Sequence, residues 1–261
     1  MAPRKWTRFR LSRRILSPPM TNQAIIRSVL ELLADVPGEG RRVLDVSCKR
    51  GEILKALRER GFEVRGTQFA EDGPGVDGVP VDKGVNLLKG LPYPDASFDV
   101  VTLVEVIEHL ENHRAALSEL ARVLKPGGLL ILTTPNVMRI KSRLHFFLTG
   151  YHKVRRRFVP FETPLSEAHR FHNYPMELPI LHYMLVQNRL QIERLGRAGI
   201  KAFSWVLYLL MVGPVALYTW FFVLRTAEDA AQRREHGRIF SWLISPRGMV
   251  QDTLTLRAKK G

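Results

Sequence analysis

The chain is short of acid, of cysteine and of any familiar metal-binding spacing, and each shortage excludes something. Only 25 Asp and Glu stand against 40 Lys and Arg, so the 261 residues carry a formal net charge of +15. Such a charge draws polyanions, either nucleic acid or anionic lipid, and composition does not choose between them. A single cysteine, Cys48, rules out an intramolecular disulfide and fits a reducing compartment. No Cys/His cluster has metal-ligand spacing, so no metal is expected. No repeat is visible. Near the start, Arg4, Lys5, Arg8, Arg10, Arg13 and Arg14 have no acid among them and no long apolar run after them, so the segment does not read as a secretory signal. It reads as a basic tail over residues 1–20.

The remaining pattern alternates. Residues 21–35 have one broad apolar face, formed by Ile25, Ile26, Val29, Leu30, Leu32 and Leu33, and predict an amphipathic helix ended by Pro37, Gly38 and Gly40. Residues 43–46 predict a short strand, 51–60 a helix and 62–69 a second strand. A Gly-, Pro- and Asp-rich loop follows over 70–91, with a short strand near 79–81. Residues 98–105 are apolar enough for a strand buried on both faces. Asn112 caps a helix that stops at Lys125-Pro126-Gly127-Gly128, and residues 129–134 form the next buried strand. Helices over 137–148 and 176–187 and strands over 190–195 and 252–258 complete the series. Strands alternating with helices predict an α/β, doubly wound, Rossmann-like sheet, mostly parallel with an antiparallel last strand. On such a sheet ligands bind beyond the carboxyl ends of the strands, where strand order reverses.

Residues 202–224 interrupt this pattern: they carry no charge and are flanked by Lys201 and Arg225. A helix of that length reaches roughly 35 Å, enough to cross a bilayer. Trp205, Tyr208, Tyr218 and Trp220 are aromatics of the interfacial kind. A single crossing would strand the last β-strand on the far side from its sheet, and Gly213-Pro214 offers a break. The segment is therefore expected to be a monotopic or re-entrant hairpin anchor, with a lid or a dimer contact as the alternative. The cations of 137–148, with Arg155, Arg156 and Arg157, suit an anionic membrane surface beside it. The division that follows is a tail over 1–20, a core over 21–198, a hydrophobic helical insertion over 199–250, and the last strand and tail over 251–261.

Several motifs carry a resemblance. Val43-Leu44-Asp45-Val46-Ser47-Cys48-Lys49-Arg50-Gly51 resembles the first motif of class I S-adenosylmethionine-dependent methyltransferases, in the group that includes ubiquinone-biosynthesis and small-molecule enzymes. In order there follow Leu91-Pro92-Tyr93-Pro94-Asp95, Ser97-Phe98-Asp99-Val100-Val101, Glu105-Val106-Ile107-Glu108-His109-Leu110, Leu124-Lys125-Pro126-Gly127-Gly128, Thr134-Pro135-Asn136 and His169-Arg170-Phe171. Any one is weak; the ordered set is specific. The resemblance covers roughly residues 20–198 and the last strand.

It implies S-adenosyl-L-methionine as cofactor, held by Asp45, Ser47, Lys49, Gly51, Gln68, Asn86 and Glu105. The family usually has three glycines in the first loop; here Ser47 and Lys49 replace two, and only Gly51 remains. A side chain at position 49 either collides with the cofactor or reaches its carboxylate. The family places an acid after the second strand for the ribose hydroxyls, and Gln68 stands there; Asn86 stands where an acid often meets the adenine. An amide has one acceptor oxygen where a carboxylate accepts twice, so affinity should fall. Cys48 is expected to be a small buried filler. If the acceptor atom is oxygen, it must lose a proton, and His109 and His169 are the candidate bases; a structural hydrogen bond is the alternative for each. His152, His172 and His182 read as ordinary surface or loop histidines.

These features imply a methyltransferase for a lipid-linked or membrane-proximal small molecule, by O-methylation, cytoplasmic and membrane-associated. The alternative is a non-catalytic membrane-associated binding module with the same fold. A nucleic-acid methyltransferase is disfavoured by the absence of an Asn-Pro-Pro-Tyr motif after the fourth strand, and a nicotinamide enzyme by the absence of Gly-x-Gly-x-x-Gly. The sequence leaves the oligomeric state and the acceptor open.

Overall fold

The computed structural model of the chain describes residues 22–152, 164, 171–198 and 202–261. The basic tail, Arg155 to Arg157 and His169 lie outside the described residues. Seven strands form one sheet: β1 (Arg42–Val46), β2 (Glu63–Thr67), β3 (Val81–Asp82), β4 (Phe98–Val104), β5 (Leu124–Pro135), β6 (Leu190–Leu195) and β7 (Thr253–Lys260). Their order is β3-β2-β1-β4-β5-β7-β6. The pairs from β3 through β5 are parallel, while β7 runs antiparallel to both β5 and β6. Strand order reverses between β1 and β4, which places the ligand-binding crevice at their carboxyl ends.

The sheet is buried on both faces, as its continuous apolar strands require. On one face α1 (Gln23–Leu32) and α2 (Glu52–Glu59) bury Val29, Leu33, Leu54 and Leu57 against Val43, Val100 and Ile131. On the other, α3 (His113–Val123) and α5 (Leu178–Gln187) bury Leu117, Leu120, Leu181 and Leu185 against Leu44, Leu103, Leu132 and Leu256. The expected cap at Asn112 is present, its side chain accepting from Ala115 N, and Asn22, which the sequence pattern did not single out, likewise accepts from Ala24 N. β5 begins earlier than expected, at Leu124, because Leu124 already pairs with Phe98 before the register shifts at Val100.

Between β6 and β7 come α6 (Ala202–Thr219), a π-turn over Trp220–Leu224, α7 (Ala230–Ile244) and α8 (Pro246–Met249). Here the structure departs from the expected hairpin. α6 runs unbroken through Gly213 and Pro214, and the chain turns back only after the π-turn. A proline removes one intrahelical bond, and the long apolar helix on either side outweighs that loss. One stripe of the helix (Leu207, Tyr208, Val212 and Val215) packs on Ile140 of α4 (Ile140–Thr149) and on Ile244, Met249 and Val250. The opposite side is bare: Leu209, Leu210, Leu217 and Tyr218 are each 68–72% exposed. Ser204–Leu224 is long and apolar enough to cross a membrane, with mean hydropathy 2.0. Phe147 and Leu148 at the end of α4 are also exposed.

The insertion is tied back to the sheet by buried amides. Asn136 Nδ2, just after β5, donates to Gly248 O at 2.9 Å and Gln251 O at 3.1 Å. Gln251 Oε1 accepts from Ala198 N at 2.7 Å. These bonds close the insertion at both ends, so β7 returns to the sheet that β1–β5 began.

Candidate active site

The loop after β1 is built from an unusual backbone. Ser47 (φ 62°), Lys49 (φ 51°) and Gly51 (φ 72°) all occupy the left-handed region. Glycine takes that conformation without cost; a residue with a Cβ loses about 1 kcal/mol or more. Ser47 and Lys49 thus preserve the turn that glycines normally supply. Gly51 cannot vary, because a Cβ there would lie 2.4 Å from Val76 Cγ2. Neighbouring groups fix the turn: Ser47 N donates to Thr67 Oγ1 at 3.1 Å, Cys48 N to Thr67 O at 2.9 Å and Gly51 N to Cys48 O at 2.7 Å.

Gln68 belongs to the same fastening. Its Nε2 donates to Lys49 O at 2.6 Å, and its Oε1 accepts from Gly75 N at 3.4 Å. The amide that stands at the ribose position is therefore engaged in holding the loop. Asn86 is similarly engaged: its Oδ1 accepts from Leu88 N at 3.0 Å and caps a short 3-10 turn.

Asp45, at the end of β1, is buried, and its Oδ1 accepts from Thr102 Oγ1 of β4 at 2.6 Å. Burial pushes its carboxyl up to about 7, against the pull of the Thr102 hydroxyl and of the Lys49 charge. Cys48 is buried, and burial pushes its thiol up to about 12, so it stays protonated and inert. Glu105, directly after β4, is also left-handed (φ 54°), and its Oε1 accepts from Thr133 Oγ1 at 3.1 Å. Asp45, Ser47, Cys48, Lys49, Glu52, Ile53 and Val104 line a space of about 10 Å³, room for a single water.

A second group lies beside this loop. Glu108 and His109 sit in a 3-10 turn (Ile107–His109) after β4. The segment at 171–174 docks on that turn, Tyr174 N donating to Glu108 O at 3.1 Å and Phe171 O lying 2.9 Å from His109 Nδ1. This docking brings His172 edge-to-face on His109, with ring centroids 4.7 Å apart. Glu108 is buried, and burial and the neighbouring Glu105 charge push its carboxyl upward. His172 reads as an ordinary loop residue in the sequence, and 62 intervening residues separate it from His109; only the fold joins them. His182, also expected at the surface, is buried and bonds Glu235 of α7. It therefore ties the insertion to α5.

Comparison with known proteins bears on the whole arrangement. Residues 20–198 match the family model of the methyltransferase domain. The chain belongs to this methyltransferase family. Its fold is that of class I S-adenosylmethionine-dependent methyltransferases. A ubiquinone biosynthesis O-methyltransferase of Idiomarina loihiensis is 35% identical over 121 residues, 43% of this chain and 49% of that protein. One from Rhizobium etli is 31% identical over 150 residues, 51% of this chain and 60% of that protein. The match thus spans about half the length of these curated relatives. Among solved structures, a SAM-dependent methyltransferase from Archaeoglobus fulgidus superposes with TM-score 0.52 at 20% identity, covering 92% of this chain and 95% of that one. A 1,6-didemethyltoxoflavin-N1-methyltransferase from Burkholderia thailandensis, solved with S-adenosylhomocysteine, gives 0.50 at 13% identity, covering 91% and 78%. At such identities the likeness is one of fold.

S-adenosylmethionine is the cofactor of this family, and the loop after β1 fits it at the backbone. The left-handed turn is present, and Asp45, Glu105 and Glu108 offer carboxyl groups at the adjoining strand ends. Lys49 lines the small space beside this loop.

Proposed function

We propose that this methyltransferase domain transfers a methyl group from S-adenosylmethionine to a hydroxyl oxygen of a lipid-linked small molecule at a membrane surface. The observation that carries the proposal is the left-handed backbone kept at Ser47 and Lys49. Strain at positions where serine and lysine gain nothing from it points to function rather than packing. The bound cofactor would supply an activated methyl carbon. The chain would supply the loop of Ser47, Lys49 and Gly51 beneath it, the buried carboxyl of Asp45 and the water-poor crevice between β1 and β4.

An oxygen acceptor must shed its proton, and the group of Glu108, His109 and His172 is placed to receive it. The Phe171 carbonyl can only accept, so it holds the proton on His109 Nδ1 and leaves Nε2 as a proton acceptor. The ubiquinone-type relatives support a lipid-linked acceptor. The bare faces of α6 and α4 support a monotopic seat on the bilayer, since β7 must return to the sheet after α6.

The direct test is transfer of labelled methyl from S-adenosylmethionine to a polyprenylated catechol in anionic vesicles. Label in the extracted lipid is expected. Cofactor binding with no transfer to any vesicle-borne hydroxyl would favour a non-catalytic binding module.

A further inference from the structure

We propose that Arg143 of α4 is a specificity-determining residue that receives an oxyanion, a carboxylate or phosphate group, carried by the methyl acceptor. Arg143 is one of the cations that the sequence sets along 137–148. The structure draws it partly inward. Its Nε donates to Met138 O at 2.6 Å, while its Nη2 is buried with no hydrogen-bond partner. Among the described residues no carboxylate pairs with it: Glu177 lies against His152 instead, its Oε1 3.9 Å from Nε2. Burial lowers the guanidinium pKa, and no acid offsets that shift. A guanidinium still keeps its proton near neutral pH, so the charge remains and lacks a partner. Withdrawing a cation from water without an anion beside it is costly. An incoming oxyanion would supply the missing partner.

Position favours the acceptor as the source of that oxyanion. α4 follows the carboxyl end of β5, and Met138, to which Arg143 is tied, comes two residues after Asn136. Ser142, next to Arg143 in the chain, has its Oγ 3.2 Å from His152 Nδ1. Glu177 reaches the same histidine from three residues beyond Tyr174, whose N–H donates to Glu108 O at 3.1 Å on the turn after β4. Arg143 therefore borders the rim beyond the carboxyl ends of β4 and β5, the side from which an acceptor meets the methyl carbon. With Nε taken by Met138 O, the edge formed by Nη1 and Nη2 remains for a ligand. That edge offers two parallel N–H groups to a carboxylate or phosphate, and so orients the molecule that carries it.

The inference deepens the proposed acceptor and rests on that reading for its place in the reaction, but anion binding is measured without methyl transfer. The test is calorimetric titration of full-length protein with 3,4-dihydroxybenzoate and with catechol, two soluble diols that differ by one carboxylate. The acid is expected to bind at least about tenfold more tightly, as one charge-assisted pair supplies. Inorganic phosphate, titrated alone, should bind more weakly than the acid, because it lacks the ring. Arg143→Met should abolish the preference, and Arg143→Lys should restore part of it. Arg143→Met removes an unpaired, partly buried charge at similar length, so thermal unfolding should show it folded. In transfer assays its loss should fall on KM for the acid and leave kcat within about twofold. Equal affinity for the two diols, binding of neither, or a preference undiminished in folded Arg143→Met would overturn the proposal. So would phosphate that binds as tightly as the acid, because the site would then serve a free anion. A preserved preference without methyl transfer would instead sink the enzymatic reading and spare this one.

Discussion

At the residue scale, the buried carboxyl of Asp45 sets a testable pH dependence. Its folded value of about 7 lies above its ordinary 3.8, so the folded chain holds a proton that the unfolded chain has released. Stability therefore falls as pH rises from about 4 through about 7, by about 4 kcal/mol at most. Asp45→Asn keeps an oxygen for the Thr102 hydroxyl and removes the ionisation. Urea midpoints should then be flatter between pH 5 and pH 8 than in the wild type (roughly, over this window); equal slopes would refute the assignment. The sequence made Asp45 a candidate because it ends an apolar strand, but its burial and its Thr102 partner come from β4, 57 positions away. Gln68 and Asn86 teach the same lesson. Sequence position offers both to the cofactor; in the structure Gln68 bonds Lys49 O and Gly75 N, and Asn86 Oδ1 accepts from Leu88 N. Such local bonds depend on loop conformation, which residue types alone do not reveal.

At the scale of elements, α6 sets the account's membrane claim. Its length and lack of charge were plain in the sequence, and so was the need for β7 to return. The hairpin at Gly213-Pro214 was not realised, because one proline does not end a helix so rich in apolar neighbours. What the sequence could not show is which side of α6 packs. The stripe through Tyr208, Val212 and Val215 is covered, and Tyr208 OH donates to Ile244 O at 3.1 Å. Leu209 and Leu217 face away, each at least 70% exposed. The pair of substitutions Leu209→Asp and Leu217→Asp should leave thermal unfolding nearly unchanged, since surface changes cost about 0.5 kcal/mol or less. Sedimentation with anionic vesicles should drop at least about tenfold. Undiminished sedimentation would show that α6 is not the membrane contact.

At the scale of the whole molecule, the alternation of strands and helices was enough to read the doubly wound sheet and its antiparallel last strand. The crevice could be placed because β1 and β4 carry the reversal of strand order. The Glu108, His109 and His172 group could not, because it needs a loop at 171–174 folded back onto the turn after β4. The same architecture leaves one question central: whether the strained turn of Ser47, Lys49 and Gly51 still admits the cofactor. Calorimetric titration of the full-length chain with S-adenosylmethionine, beside Lys49→Gly, answers it most directly. The account predicts saturable heat with wild-type protein, and at least about tenfold tighter binding once Lys49→Gly relieves the turn and clears the space. Folded protein that gives no heat at millimolar cofactor, in the wild type and in Lys49→Gly alike, would contradict it.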